Sequence, residues 1–261
     1  MSEPHRTPPP VVFPRAPTEA EWSAMTVTEQ DAAVERIRLA LDAMREAMSE
    51  GTLHSRPKTR ALTTLTDFFE RARRRVFLAS ELAVLYPGEP VFVPDILAVL
   101  DTDPDKEVES WVVAREGRGV DFVLELRNLG RKHKDLRENV AEYARLGVRE
   151  YFTFDVRTKM LRGFHLAGSQ RAYVPVLGQG GRLPSTVLGL DLAVIDGRLR
   201  FFSDTAQVLD SGEIVGMLER MVSERDERLE DAEERAAKEA ARADRAEAEL
   251  AELRKRLGPL E

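Results

Sequence analysis

Two carboxylates set inside otherwise apolar, strand-like segments are where this sequence concentrates its chemistry. Asp95 follows Pro94 in Phe92-Val93-Pro94-Asp95-Ile96, and Glu125 lies within Phe122-Val123-Leu124-Glu125-Leu126. A carboxylate drawn out of water is costly unless it is paired or bound to a cation. Side chains alternate along a strand, so Asp121 and Glu125 share one face while Phe122 and Leu124 take the other. If the two segments are neighbours, Asp95 meets Glu125 across the ladder. Hard oxygen ligands of that kind suit Mg²⁺, which keeps several waters, lowers the pKa of one and neutralises phosphate charge. The same residues also fit a plainer arrangement, in which Asp95 caps a turn and Glu125 pairs with the basic helix that follows.

That helix opens Arg131-Lys132-His133-Lys134-Asp135, the densest basic cluster beside the two acids. Positive charge at a helix N-terminus runs against the macrodipole, which points to a local anionic partner. An ammonium here can orient a water or stabilise charge on a phosphate. Arg131, Lys132 and Arg137 can touch a nucleic-acid backbone, contacts that carry no sequence information. His54 either approaches the site or is a structural or exposed residue, and Glu50 and Glu81 are equally open. His5, His133 and His165 lack the spacing of a zinc site. Gly178, Gly180 and Gly181 read as a turn rather than a phosphate-cradling loop, and no serine sits in a hydrolase elbow. Trp22 and Trp111 read as packing residues.

The elements that position these groups follow from periodicity. Residues 1 to 20 are rich in proline and poor in apolar anchors, so an extended or disordered tail is expected. Thr28 caps a helix with Val34, Ile37, Leu41 and Met44 on one stripe, ending at Gly51. A second helix starts near Pro57 and carries Leu62, Leu65, Phe69 and Ala72. Residues 76–85 and 91–100 then read as a hairpin around Pro87-Gly88-Glu89-Pro90, followed by strands at 111–114 and 120–126. A helix over 131–146 buries Leu136, Val140, Tyr143 and Ala144, and further strands fall at 150–156, 160–166, 172–177, 190–195 and 199–202. Asp196-Gly197 joins the last two as a hairpin. Helices, a meander, a crossover helix and more strands imply an α/β or mixed α+β fold.

From Leu218 the chain turns to Ala, Glu and Arg. Alternate steps of four and three give Leu218, Val222, Arg225, Leu229, Ala232, Ala236, Glu239, Ala243, Ala246, Leu250, Leu253 and Leu257, a coiled-coil seam broken only by Arg225 and Glu239. It pairs protomers over 218–257, or it is a lone solvated helix. The expected domains are therefore the tail at 1–20, a globular domain at 21–210 and the coiled-coil helix at 211–261. Its 261 residues include no cysteine, which excludes disulfides and thiolate chemistry. With 43% hydrophobic residues and no apolar run near the ~20 needed to span a bilayer, a soluble protein without membrane partners is expected. Absence of a leader pattern places it in a bacterial-type cytoplasm. The net charge of −7 gives no global attraction to nucleic acid, so any such binding needs a local basic surface.

Val93-Pro94-Asp95-Ile96, Phe122-Val123-Leu124-Glu125-Leu126, Lys134-Asp135-Leu136 and Tyr143-Ala144-Arg145-Leu146-Gly147-Val148-Arg149-Glu150-Tyr151-Phe152 occur in an order that resembles the Uma-two family of restriction endonucleases, a branch of the PD-(D/E)XK nuclease superfamily. The likeness runs from about His54 to Phe202. It implies a restriction-endonuclease-like sheet flanked by helices, Asp95 and Glu125 as metal ligands, Mg²⁺ or Mn²⁺ as cofactor, and hydrolysis of duplex DNA. The pattern's lysine falls on Arg127, or in many members on Asn139, and neither is lysine here. Lys134 is the nearest substitute, with Lys132 and Arg127 behind it and His54, Asp121, Asp135 and Asn139 as accessory candidates. Arginine is a poor proton-transfer group. Two functions follow: a metal-dependent DNA endonuclease acting as a homodimer, or an interaction or DNA-binding module that keeps the fold without catalysis and works through its coiled coil.

Overall fold

The computed structural model describes residues 13–46, 52–127, 133–168 and 171–257. In chain order the elements are α1 (Glu19–Ala24), α2 (Val27–Glu46), α3 (Thr52–Arg71), β1 (Val76–Ala79), β2 (Ala83–Leu85), β3 (Ile96–Leu100), β4 (Ser110–Val112), α4 (Val113–Glu116) and β5 (Phe122–Arg127). Then come α5 (His133–Leu146), β6 (Glu150–Asp155), β7 (Leu161–Leu166), β8 (Tyr173–Pro175), β9 (Arg182–Ser185), β10 (Leu190–Ile195), β11 (Arg198–Ser203), β12 (Ala206–Val208) and α6 (Ser211–Leu257).

The first two helix starts are set by capping boxes. In α1 the Thr18 hydroxyl accepts from the Glu21 N–H while Glu21 reaches back to the Thr18 N–H. Thr26 and Glu29 repeat the device at α2, so Thr26 rather than Thr28 is the cap. The proline-rich segment from Phe13 runs extended along the turn at Pro87–Pro90, with the Ala16 N–H donating to Glu89 O and the Val91 N–H to Pro14 O. Residues 1–12 lie outside the described chain. The second helix begins a turn and a half before the expected start. Pro57 sits inside it, because a proline near a helix start forfeits a single main-chain bond.

A six-stranded sheet of order β1-β3-β5-β6-β7-β8 forms the centre, with β5 and β6 parallel and joined through α5, and the other neighbours antiparallel. The expected hairpin forms only in part. Glu81 adopts a left-handed φ of 54°, which ends β1 and sends β2 away to pair in parallel with β4. One sheet face carries Ile96, Ala98, Phe122, Leu124, Phe152 and Phe154 against Ala61, Leu65 and Phe69 of α3 and against Leu192 and Phe201. The other carries Leu97, Val99, Val123 and Tyr151 against Tyr143, Leu146 and Val148.

A second antiparallel sheet of order β12-β11-β10-β9 completes the first unit; its strands β9 and β12 were not anticipated from the sequence. The β10–β11 turn matches the Asp196-Gly197 expectation, both residues having positive φ as a two-residue hairpin requires. Glu150 at the start of β6 anchors the chain before β10: its buried carboxylate accepts from the Ser185 hydroxyl, from the Thr186 N–H and hydroxyl at 2.8 and 2.7 Å, and from the Val187 N–H. The whole is the mixed α/β fold expected.

The chain divides after Asp210, and the second unit consists of α6, 47 residues long and stitched by i,i+4 pairs such as Lys238–Glu234 at 2.6 Å. Leu218, Val222, Leu229, Leu250 and Leu253 of its seam are exposed. No helix among the described residues is long and apolar enough to cross a membrane.

Candidate active site

The site stands where β3 begins and β5 ends. The antiparallel register pairs Ile96 with Leu124, and one step further along it sets Asp95 opposite Glu125. Alternation then puts both side chains on the face that α5 covers, since Leu97 and Val123 point there. Asp95 is buried, and its Oδ2 accepts the Leu126 N–H at 2.7 Å, so the carboxylate is held across the strand pair. The expected convergence of the two acids is what the register delivers.

Glu125 is partly buried, and its Oε1 accepts the Tyr143 hydroxyl of α5 at 2.8 Å. Burial pushes the Glu125 carboxyl well above the ordinary carboxylate range; the charge of Asp95 adds to this, and the Tyr143 hydrogen bond opposes it. Burial, and then the nearness of Glu125, likewise push the Tyr143 phenol up. Tyr143 is itself fixed by edge-on contacts with Phe92 and Tyr151, at 5.0 and 4.9 Å between ring centroids. The Tyr151 hydroxyl is buried with no hydrogen bond of good geometry among the described residues. Its pKa is raised by burial and then by Glu125, while Asn139 and Arg127 pull it the other way, so both of those side chains adjoin it.

A lysine enters from the opposite side. Lys58 of α3 is buried, ion-pairs with Glu81, and places its Nζ 4.0 Å from Asp95 Oδ1. Glu81, 43% exposed, keeps one side of that pair in water. Its left-handed backbone is tied to the site by a 3.0 Å bond from its N–H to Pro94 O. The sequence does carry a signal for Lys58. Stepping back four residues from Leu62 puts it on the same buried stripe as Leu65 and Phe69, a place where an unpartnered lysine is not tolerated.

Other expectations resolve differently. Asp121 shares the strand with Glu125 but stands at its far end, where it accepts from the Leu100 N–H at 2.8 Å and pairs with Arg118 and Arg149. It is not brought to the site, because four strand residues separate the two by about 13 Å. Asp95 reaches across two strands to the Leu126 N–H. Lys134 and Asp135 lie in the first turn of α5, and His54 in that of α3, but their side chains, and all of Lys132, lie outside the described residues. Trp111 packs as expected, with its indole N–H on Arg118 O at 3.0 Å.

Two touching carboxylates, one displaced toward its protonated form, are a donor set that a divalent ion fits: the ion supplies the charge that the proton otherwise provides. No group of three or more His, Cys, Asp or Glu ligands occurs among the described residues, and an ion such as Mg²⁺ held by one or two carboxylates keeps several waters. The raised Glu125 value has a consequence for stability. A carboxyl whose pKa is higher folded than unfolded contributes stability that is fully present at low pH. That stability is lost as pH rises from the unfolded value near 4.5 through the folded one. In EDTA, urea unfolding followed by tryptophan fluorescence is expected to show a decline no steeper than about 1.4 kcal/mol per pH unit for this proton, absent from Glu125→Gln. An identical pH dependence in the variant would show that Glu125 is not the group.

No curated protein matches the chain. Among solved structures, a putative nuclease belonging to DUF820 from Anabaena variabilis ATCC 29413 is similar at 14% identity and a TM-score of 0.42, covering 54% of this chain and 75% of that one. Residues 22–195 match Uma2, the family described as putative restriction endonuclease, a span that includes Asp95, Glu125 and Lys58. The chain belongs to the Uma2 family, and so to a family of nuclease type.

Proposed function

We propose that the protein is a Mg²⁺- or Mn²⁺-dependent endonuclease that hydrolyses phosphodiester bonds of duplex DNA. The observation that carries this reading is the meeting of Asp95 and Glu125 from adjacent strands, where the charge of one carboxyl raises the pKa of the other and a shared cation would relieve the repulsion. Asp95 and Glu125 hold the ion, which there would neutralise phosphate charge and lower the pKa of a bound water. Asp95 stays aimed through its bond to the Leu126 N–H, and Tyr143 fixes Glu125. Lys58 supplies the ammonium that Arg127 and Asn139 do not, set where it can stabilise charge on a phosphate. Lys134, in the first turn of α5, assists the water or the phosphate.

Nicking of supercoiled plasmid by the full chain with Mg²⁺ or Mn²⁺, and its loss in EDTA, is the test. Absence of cleavage with either ion would leave the second reading, a catalytically silent module of the same fold, which Arg127 and Asn139 at the lysine positions favour.

The α6 seam supports pairing of two protomers as a coiled coil over 218–257, which would offer one site to each DNA strand. A chain ending at Asp210 is expected to scatter as a monomer, at about two-fifths of the mass of a full-chain dimer of 261 residues per protomer, and an unchanged oligomer would refute the pairing. A cytoplasmic setting fits a chain of this composition.

A further inference from the structure

Away from the carboxylates, the first unit has a cavity of about 370 Å³ whose rim is basic: Arg56 and Arg60 from α3, Lys159 from the β6–β7 turn and Arg198 from the β10–β11 hairpin. We infer that this cavity seats DNA backbone that runs past the same end of the sheet as the carboxylates but on its α3 face, away from the scissile phosphate, binding phosphodiesters without reading sequence; the inference rests on the nuclease reading above. The chain as a whole carries a net charge of −7, so four cations around one opening run against its composition. Arg60 pairs with Asp210 at 3.2 Å, whereas Arg56, Lys159 and Arg198 have no ion pair among the described residues. Like charges gathered round an apolar floor of Phe154 and Val156 repel one another, and a polyanion removes that repulsion.

The cavity also lies at the right end of the sheet. Phe154 follows Thr153, the β6 partner of Glu125, so the cavity shares that end of the sheet while lying on the α3 face, opposite the face the carboxylates take, and Arg56 and Arg60 sit on the side of α3 turned away from Lys58. The backbone presents Lys159 at some cost. Asp155 Oδ1 accepts the N–H groups of Arg157 and Thr158 at 3.0 and 2.8 Å, and the Lys159 N–H closes the turn on Asp155 O at 2.8 Å. Lys159 is held with a φ of 59°, a conformation that non-glycine residues rarely adopt. Opposite, Gly197 has φ 70°, which favours glycine, and a Cβ there would come within 3.3 Å of Lys159 Cε, close enough to displace the lysine stem by a few tenths of an ångström.

The test is fluorescence anisotropy of a short labelled duplex with the full chain in EDTA, titrated over a range of NaCl. Wild type is compared with the triple variant Arg56→Gln, Lys159→Gln, Arg198→Gln. Loss of three phosphate contacts is expected to weaken binding by roughly tenfold or more at moderate salt and to shrink the slope of log K against log salt by nearly three, whatever the duplex sequence. Mn²⁺ affinity is expected to stay as in wild type, since none of the three touches the carboxylates, and the urea midpoint to hold or rise as the mutual repulsion of the three cations is lost. Inorganic phosphate and a mononucleotide, added as competitors, distinguish a free phosphate compound from the backbone. An unchanged slope in the triple variant overturns the inference, as does a wild type that binds no duplex, or a mononucleotide that binds wild type tightly and is lost in the variant while duplex affinity stays the same. A slope that falls as expected with no metal-dependent nicking sinks the hydrolytic reading alone; intact nicking with an unchanged slope sinks only the seat.

Discussion

Asp95→Asn and Glu125→Gln are each expected to abolish detectable Mn²⁺ binding in isothermal titration and to lower plasmid nicking by about 1,000-fold, on the order of 4 kcal/mol of lost charge stabilisation. Both changes keep shape and remove charge. In Asp95→Asn the amide oxygen still accepts the Leu126 N–H, so the link between the strands survives. In Glu125→Gln the carbonyl oxygen still accepts the Tyr143 hydroxyl. Neither variant is expected to unfold. Without metal, each relieves the repulsion that drives Glu125 toward its protonated form, so the urea midpoint at neutral pH is expected to equal or exceed that of wild type. A stable variant that neither binds metal nor cleaves is the signature of a metal-holding pair. Retained Mn²⁺ affinity in both variants would remove the proposed site.

The carboxylate pair was legible because each acid interrupts an apolar strand, and strand alternation is a strong enough rule to fix their face once the two strands are neighbours. The same rule misled for Asp121. Alternation assigns a face but not a position along the strand, and the far end of β5 has arginines of its own to satisfy an acid. The break between β1 and β2 had no signature, since the residue that takes the left-handed turn is Glu81 and not a glycine or asparagine. Tyr143 was legible as a packing residue from helical spacing, while its hydroxyl's partner depended on how α5 docks, which no local pattern reports. Lys58 was the avoidable miss. It occupies a stripe position otherwise filled by Leu62, Leu65 and Phe69, and a charge there signals a partner across the core edge in the way Asp95 did.

That lysine gives the sharpest separation between structure and chemistry. Lys58→Met keeps the stem's length and packing on the α3 stripe while deleting the charge 4.0 Å from Asp95 Oδ1. Its other partner, Glu81, is 43% exposed and can be hydrated when the pair is lost, so the stability cost is set mainly by Asp95. A residue that only braces the fold would weaken metal binding and cleavage together. An ammonium that acts on the phosphate predicts opposite signs. With one cation removed from beside the carboxylates, Mn²⁺ affinity is expected to rise or hold, while nicking falls by about 100-fold, the scale of one lost electrostatic donor. Lys58→Arg, which keeps the charge but forces a guanidinium into a buried place, is expected to fall between wild type and Lys58→Met in cleavage. Titration of Mn²⁺ beside a nicking time course reads both quantities on the same preparations. Parallel losses in the two would make Lys58 a brace for Asp95, and the charge facing the phosphate would then have to come from the first turn of α5.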